Sequence, residues 1–144
     1  MKKTTLLMFT LVLLTALVIT SCGGIGNSAN LAGTSWKLVN YGSNTSLTAA
    51  VPDVPTSLDI GKDGKMSGNV GCNSFSGDYK VNGSQITFGT VVSTLMACPD
   101  PVMKQEAAVL KVLSGTASFT LDAGTIVITS ADGQSTVTFE QVTK

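Results

Sequence analysis

No histidine and no arginine occur among the 144 residues. The first absence removes the commonest general base and metal ligand, and with them the Ser-His and Cys-His nucleophile pairs. The second removes the planar fork that grips phosphates. Nine lysines stand against nine carboxylates, so no basic patch is expected for nucleic acid or for anionic lipid headgroups. The sequence contains no Walker loop, no G-x-S-x-G and no C-x-x-C, and Asp59, Asp63 and Asp78 do not follow EF-hand spacing. No cofactor, no metal and no catalytic residue is expected.

Long apolar runs are also scarce, with one exception at the start. Lys2 and Lys3 precede a mostly apolar stretch from Leu6 to Ile19. That stretch has the length of a signal-peptide core and is short for a bilayer span. Ile19-Thr20-Ser21-Cys22 resembles the bacterial lipobox, a branched aliphatic and two small residues ahead of a cysteine. The resemblance implies that residues 1–21 are a lipoprotein signal peptide. Cys22 then becomes the acylated N-terminus, with diacylglycerol on its thiol and a further acyl chain, such as palmitate, on its amine. A lone membrane anchor and an unmodified Cys22 are the alternatives. Two or three chains hold far more firmly than one, at roughly 0.8 kcal/mol per buried CH₂. Residues 22–30 carry no charge and only one large apolar side chain, Ile25, which describes a flexible tether. Gly23 is not the aspartate that resembles an inner-membrane retention signal. The expected location is therefore the cell membrane or outer membrane, lipid-anchored on the extracytoplasmic, periplasmic side. Removing the leader leaves seven lysines against nine carboxylates, a net charge of about −2.

Only three cysteines occur. With Cys22 acylated, Cys72 and Cys98 remain, and two thiols in an exported domain most often bridge. The closed loop would contribute roughly 3–4 kcal/mol in the chain-entropy picture. The alternatives are a reactive thiol, for which Cys98 is better placed near a helix start, and a pair of inert buried thiols.

From Leu31 onward, period-two alternation broken by turn dipeptides dominates. Strands are expected at 34–40 (Trp36, Leu38), around Leu58 and Ile60, over Met66–Val70, over Asp78–Val81, and around Ile86 and Phe88. Further strands follow at Phe119 and Leu121, Ile126 and Ile128, and Val137 and Phe139. Asp63-Gly64, Asn82-Gly83, Ala123-Gly124 and Asp132-Gly133 are the turn signals. Residues 41–55 read as a long polar connection. Residues 99–115 read as a helix with Asp100 as cap, Pro101 in the first turn, a stripe of Val102, Val109 and Leu113 flanked by Met103 and Leu110, and Gly115 as the stop. These elements predict a mainly β domain over residues 31–144. It is a small antiparallel meander of about eight strands closing into a barrel, with one helix at an end or face. Trp36, Phe75, Tyr79, Phe88, Phe119 and Phe139 are expected in the core. Glu106 falls on the apolar stripe. It reads either as an acid/base group or, more readily, as an acceptor for loop N–H groups or a lysine.

The run Gly71-Cys72-Asn73 with Phe75, Gly77 and Tyr79 resembles the signature of the META domain family, which includes HslJ-like heat-shock proteins. The Trp36-Lys37-Leu38 strand, Thr94-Leu95-Met96-Ala97-Cys98 ahead of the helix, Glu106 within it and the closing hairpins extend the resemblance over about residues 31–141. It implies a small antiparallel β-barrel-like fold with one helix, secreted or lipid-anchored, linked to stress responses and not to a shared chemical activity. The functional expectation is a non-enzymatic envelope lipoprotein. Its partner would be an envelope protein or an apolar ligand, such as a lipid tail in the barrel interior, besides the membrane itself. A structural or inhibitory module acting through 41–55 is the alternative, and a thiol-dependent enzyme at Cys72 or Cys98 a further one.

Overall fold

The computed structural model describes residues 30–143. The signal-peptide reading over 1–21 and the tether reading over 22–30, Cys22 included, lie outside that range except for Asn30. The elements are β1 (Thr34–Ser43), β2 (Ser46–Ala49), β3 (Ser57–Ile60), β4 (Lys65–Asn69), β5 (Ser74–Asn82), β6 (Gln85–Phe88), β7 (Val92–Ser93), α1 (Asp100–Val112), β8 (Gly115–Asp122), β9 (Thr125–Thr129) and β10 (Ser135–Gln141).

Eight of these strands close into an antiparallel barrel in the order β1-β3-β4-β5-β6-β8-β9-β10, sealed by β10 pairing back onto β1. Alternation drives the closure. Each strand carries one apolar side, and a curled sheet hides that side and the strand edges together. A bulge between Leu38 and Asn40 bends β1, so that its first half pairs with β3 and its second half with β2. Trp36, Leu38, Leu58, Met66, Ile86, Ile126, Ile128 and Phe139 fill the interior, each almost wholly buried. The interior is a packed core. The aromatic residues assigned to the core from alternation are all buried there.

The registers assign every turn to one of two ends. The chain enters at Leu31 beside the 61–64 turn, where Gly33 N–H donates to the Ile60 carbonyl at 2.7 Å. The turns at 83–84 and 123–124 and the end of β10 lie at this same end. The other end holds residues 70–73, the 89–99 segment, α1 and the 130–134 turn.

Four details differ from the sequence-based expectation. Residues 41–43 extend β1 and 46–49 form β2, making an exposed hairpin where a polar connection was expected. The hairpin after β5 turns on Gly83 and Ser84, because Asn82 still pairs with Gln85. Gly83, at φ 60°, takes the position that needs the left-handed conformation. Pro99, not Asp100, caps α1, and no side chain bonds the free N–H groups there. Asp100 lies in the first turn, where its charge still favours the helix dipole. The helix ends at Val112, and Gly115 opens β8.

Candidate functional site

Gly71, Cys72, Asn73, Thr94, Met96, Cys98 and Glu106, singled out by the sequence, converge at the helix end of the barrel. Asn69 Oδ1 accepts from Gly71 N–H at 2.9 Å, bending the chain after β4. The turn delivers Cys72 and Asn73 beneath α1, where Glu106 points inward. The Glu106 carboxylate accepts Cys72 N–H at 2.7 Å, Asn73 N–H, and Asn73 Nδ2–H at 2.8 Å. Glu106 is 6% exposed, and its partners are all N–H donors of the 72–73 turn. Such charge-assisted bonds are shorter and stronger than neutral ones. They account for a carboxylate on the apolar face of the helix, because an unpaired one would not be tolerated there.

Gly71 is required by proximity. A Cβ at this position would stand 2.7 Å from the Cβ of Glu106 and 2.9 Å from the Val102 carbonyl oxygen. The neighbouring helix residue, Gln105, is fully buried and ties two more segments. Its Nε2 donates to the Val70 carbonyl at 2.8 Å, and its Oε1 accepts Val51 N–H at 2.7 Å. Sequence reasoning missed Gln105. The only signal was a polar residue beside Glu106 on the inner face of the helix.

Asn73 works in two directions. Its Nδ2 holds Glu106, while its Oδ1 accepts Met96 N–H at 2.7 Å and the Thr94 hydroxyl at 2.9 Å. Cys72 and Cys98 form a disulfide with their Cα atoms 5.9 Å apart. Val92 and Ser93 pair with Ser76 and Phe75 of β5. The segment from Gly89 to Pro99 is thus a strap held to one short stretch of chain, residues 72–78. Ala97 lies exposed on it. Phe75 is buried beneath it, Gly77 leaves room for the Thr90 carbonyl oxygen at 3.1 Å from where a Cβ would stand, and Tyr79 sits farther along β5 at the opposite end. The Tyr79 hydroxyl donates to the Gly61 carbonyl at 2.7 Å. Burial, with Asp63 adding repulsion, raises its phenol above the ordinary tyrosine value.

What this site exposes is apolar. Val92 is 61%, Leu95 97% and Met96 56% exposed. Among the described residues no cluster of three or more metal-ligating side chains occurs, and no helix is long and apolar enough to cross a membrane. An open groove of about 530 Å³ beside the strap is lined partly by Asp59, Asp63, Lys65 and Asp78. Lys65 and Asp78 pair there at 3.0 Å, both well exposed.

A family model described as META domain matches residues 29–143. The chain belongs to the META domain family. The chain is also similar to solved structures. An NMR structure of a protein from Burkholderia xenovorans is 27% identical, with a TM-score of 0.67, covering 79% of this chain and 85% of its own. A second NMR structure is 22% identical, with a TM-score of 0.59, covering 75% of this chain and 88% of its own. A DUF4847 family protein from Bacteroides vulgatus, solved by crystallography, is 12% identical with a TM-score of 0.58, covering 77% of this chain and 94% of its own. The last two likenesses concern the fold alone. No curated protein matches the chain.

Proposed function

We propose that this META domain protein is a lipid-anchored, non-enzymatic binding module of the bacterial cell envelope. One observation carries the binding reading. Every chemically capable side chain of the motif is used up in fastening backbone, and the surface so fastened is uncharged and apolar. The Glu106 oxygens accept N–H groups of the 72–73 turn, the Asn73 amide bridges helix and strap, and both sulfurs of the Cys72–Cys98 pair are consumed in a bond. A thiol-dependent enzyme would need one of those sulfurs free.

The anchor rests on the lipobox-like Ile19–Cys22 stretch. The described chain begins at the end of the barrel opposite the strap, so a tether from Cys22 would join the domain at that end. The test is mass analysis of the N-terminal peptide from protein extracted from native membranes. A diacylated or triacylated Cys22 is the expected result, and a chain starting at Met1 with a bare Cys22 thiol removes the anchor. For binding, the strap variant Leu95→Lys should lose partners recovered from intact cells by crosslinking. Unchanged recovery means that the strap is not the binding surface.

A further inference from the structure

The strap is longer as a strand than its two paired residues indicate. Thr94 N–H donates to the Ser74 carbonyl at 3.0 Å, continuing the register in which Ser93 faces Phe75 and Val92 faces Ser76. At Met96 the main chain of β5 has ended, and the side-chain amide of Asn73 supplies the next rung. It accepts Met96 N–H at 2.7 Å and offers Nδ2–H to the Met96 carbonyl at 3.4 Å. Main-chain groups of an antiparallel strand alternate between its two sides. Those of Val92, Thr94 and Met96 point into the barrel wall, so those of Ser93 and Leu95 point away from it. Among the described residues neither main-chain group of Leu95 bonds other backbone outside the strands, and the β5–β7 register turns those of Ser93 the same way. The result is an open edge over residues 92–96, strand at Val92–Ser93 and extended by the Ser74 and Asn73 contacts.

The edge is short, which is one protection, but it lacks the others. Natural sheets blunt such edges with lysine, proline or a covering loop, yet no charged residue lies between Lys80 and Asp100 and no proline between residues 90 and 98. The residues are also matched to themselves. In an antiparallel pairing about a two-fold axis at Thr94, Ser93 exchanges both main-chain bonds with the second copy's Leu95, and Leu95 with the second copy's Ser93. Val92 then lies directly opposite the second copy's Met96, an apolar cross-strand pair formed twice. Thr94 faces the second copy's Thr94, and no like charges meet. A closed, isologous contact of this kind uses one patch on both chains.

We propose that a second copy of this chain occupies the edge, pairing residues 92–96 antiparallel across the two barrels. The inference deepens the binding reading above by naming the occupant, and it rests on that reading but not on the lipid anchor. Sedimentation equilibrium of the full chain over a concentration series should show a reversible monomer–dimer equilibrium. The double variant Val92→Lys/Leu95→Lys should weaken it by about tenfold or more. Both side chains are exposed, and an unchanged circular dichroism melt establishes that the fold survives. The register is read separately. Thr94→Cys sits on the axis and should yield a covalent dimer on mild oxidation, whereas Ser93→Cys should not. A dimer that ignores the lysines, or that links through Ser93→Cys in preference to Thr94→Cys, overturns the proposal. A monomer at millimolar concentration whose strap pairs with another protein's strand overturns the second copy and leaves the binding reading intact. A monomer with no such partner overturns both.

Discussion

Asn73 holds two segments of chain that are far apart in sequence. Its amide bonds Glu106 of α1 on one side and the strap at Thr94 and Met96 on the other. Asn73→Ala would leave Met96 N–H and one Glu106 oxygen without partners, a loss of about 2–3 kcal/mol. Urea unfolding would show it, and amide exchange at Met96 should accelerate more than at Ile86 in the core. Glu106→Ala is the harsher change, because three N–H donors lose their acceptor. About 3–5 kcal/mol is expected, by analogy with breaking a buried ionic contact. Gly71→Ala forces a methyl against Glu106 and the Val102 carbonyl, costing about 1–3 kcal/mol. Tyr79 gives a pH signature. Its folded value is raised, so its contribution is complete below the ordinary tyrosine value and fades as pH rises through the higher folded one. Unfolding free energy should therefore decline more steeply on the alkaline side than in Tyr79→Phe, with absorbance near 295 nm reporting the ionisation. Equal alkaline slopes in the two proteins would remove this role.

At the scale of elements, the disulfide and the Asn73 contacts are two fastenings on the same strap. Cys72 and Cys98 are 26 residues apart in sequence, and opening the bond should cost roughly 3–4 kcal/mol in the chain-entropy account. Thermal melts with and without reductant check this. Combining Asn73→Ala with Cys98→Ser should produce a non-additive loss, since both act on one segment. The helix is held less by its own sequence than by its contacts. It has no side-chain cap, and its buried face presents Gln105 and Glu106 beside Val109 and Val112. Such a helix is stabilised mainly by tertiary packing. Its polar pair ties 51, 70, 72 and 73 to one rod.

For the whole molecule, the two ends of the barrel differ in what they carry. The described chain enters at the end with the 61–64, 83–84 and 123–124 turns, and the strap lies at the other. Under the proposed lipid anchor, the nine residues from 22 to 30 would reach at most about 30 Å, comparable to the length of a nine-residue strand such as β5. For the acylated protein in vesicles, a fluorophore at Ser84→Cys should be quenched by brominated lipid more strongly than one at Ser114→Cys. Equal quenching would show that the anchored domain has no preferred end. The packed interior sets the overall stability. Truncating Trp36 or Phe139 to alanine should cost about 3–5 kcal/mol, and neither variant should gain a tail-binding cavity open to solvent.

The strand faces were legible in the sequence because period-two alternation is a local property, set by how consecutive side chains project. It placed Trp36, Phe75, Tyr79, Phe88, Phe119 and Phe139 inside before any contact was known, and the lack of histidine and arginine narrowed the chemistry by composition alone. Three things depended on residues distant in the chain and so were decided only by the tertiary structure. The β1–β2 hairpin forms because β10 supplies an edge for Tyr41–Ser43. Gln105 is buried because Val51 and Val70 bring it partners. Leu95 is exposed because Asn73, more than twenty residues earlier, holds Thr94 and Met96 on either side of it. Local alternation specifies which side of a strand is apolar. Which polar atoms find one another, and which apolar residue is left without cover, follows only once the barrel has closed.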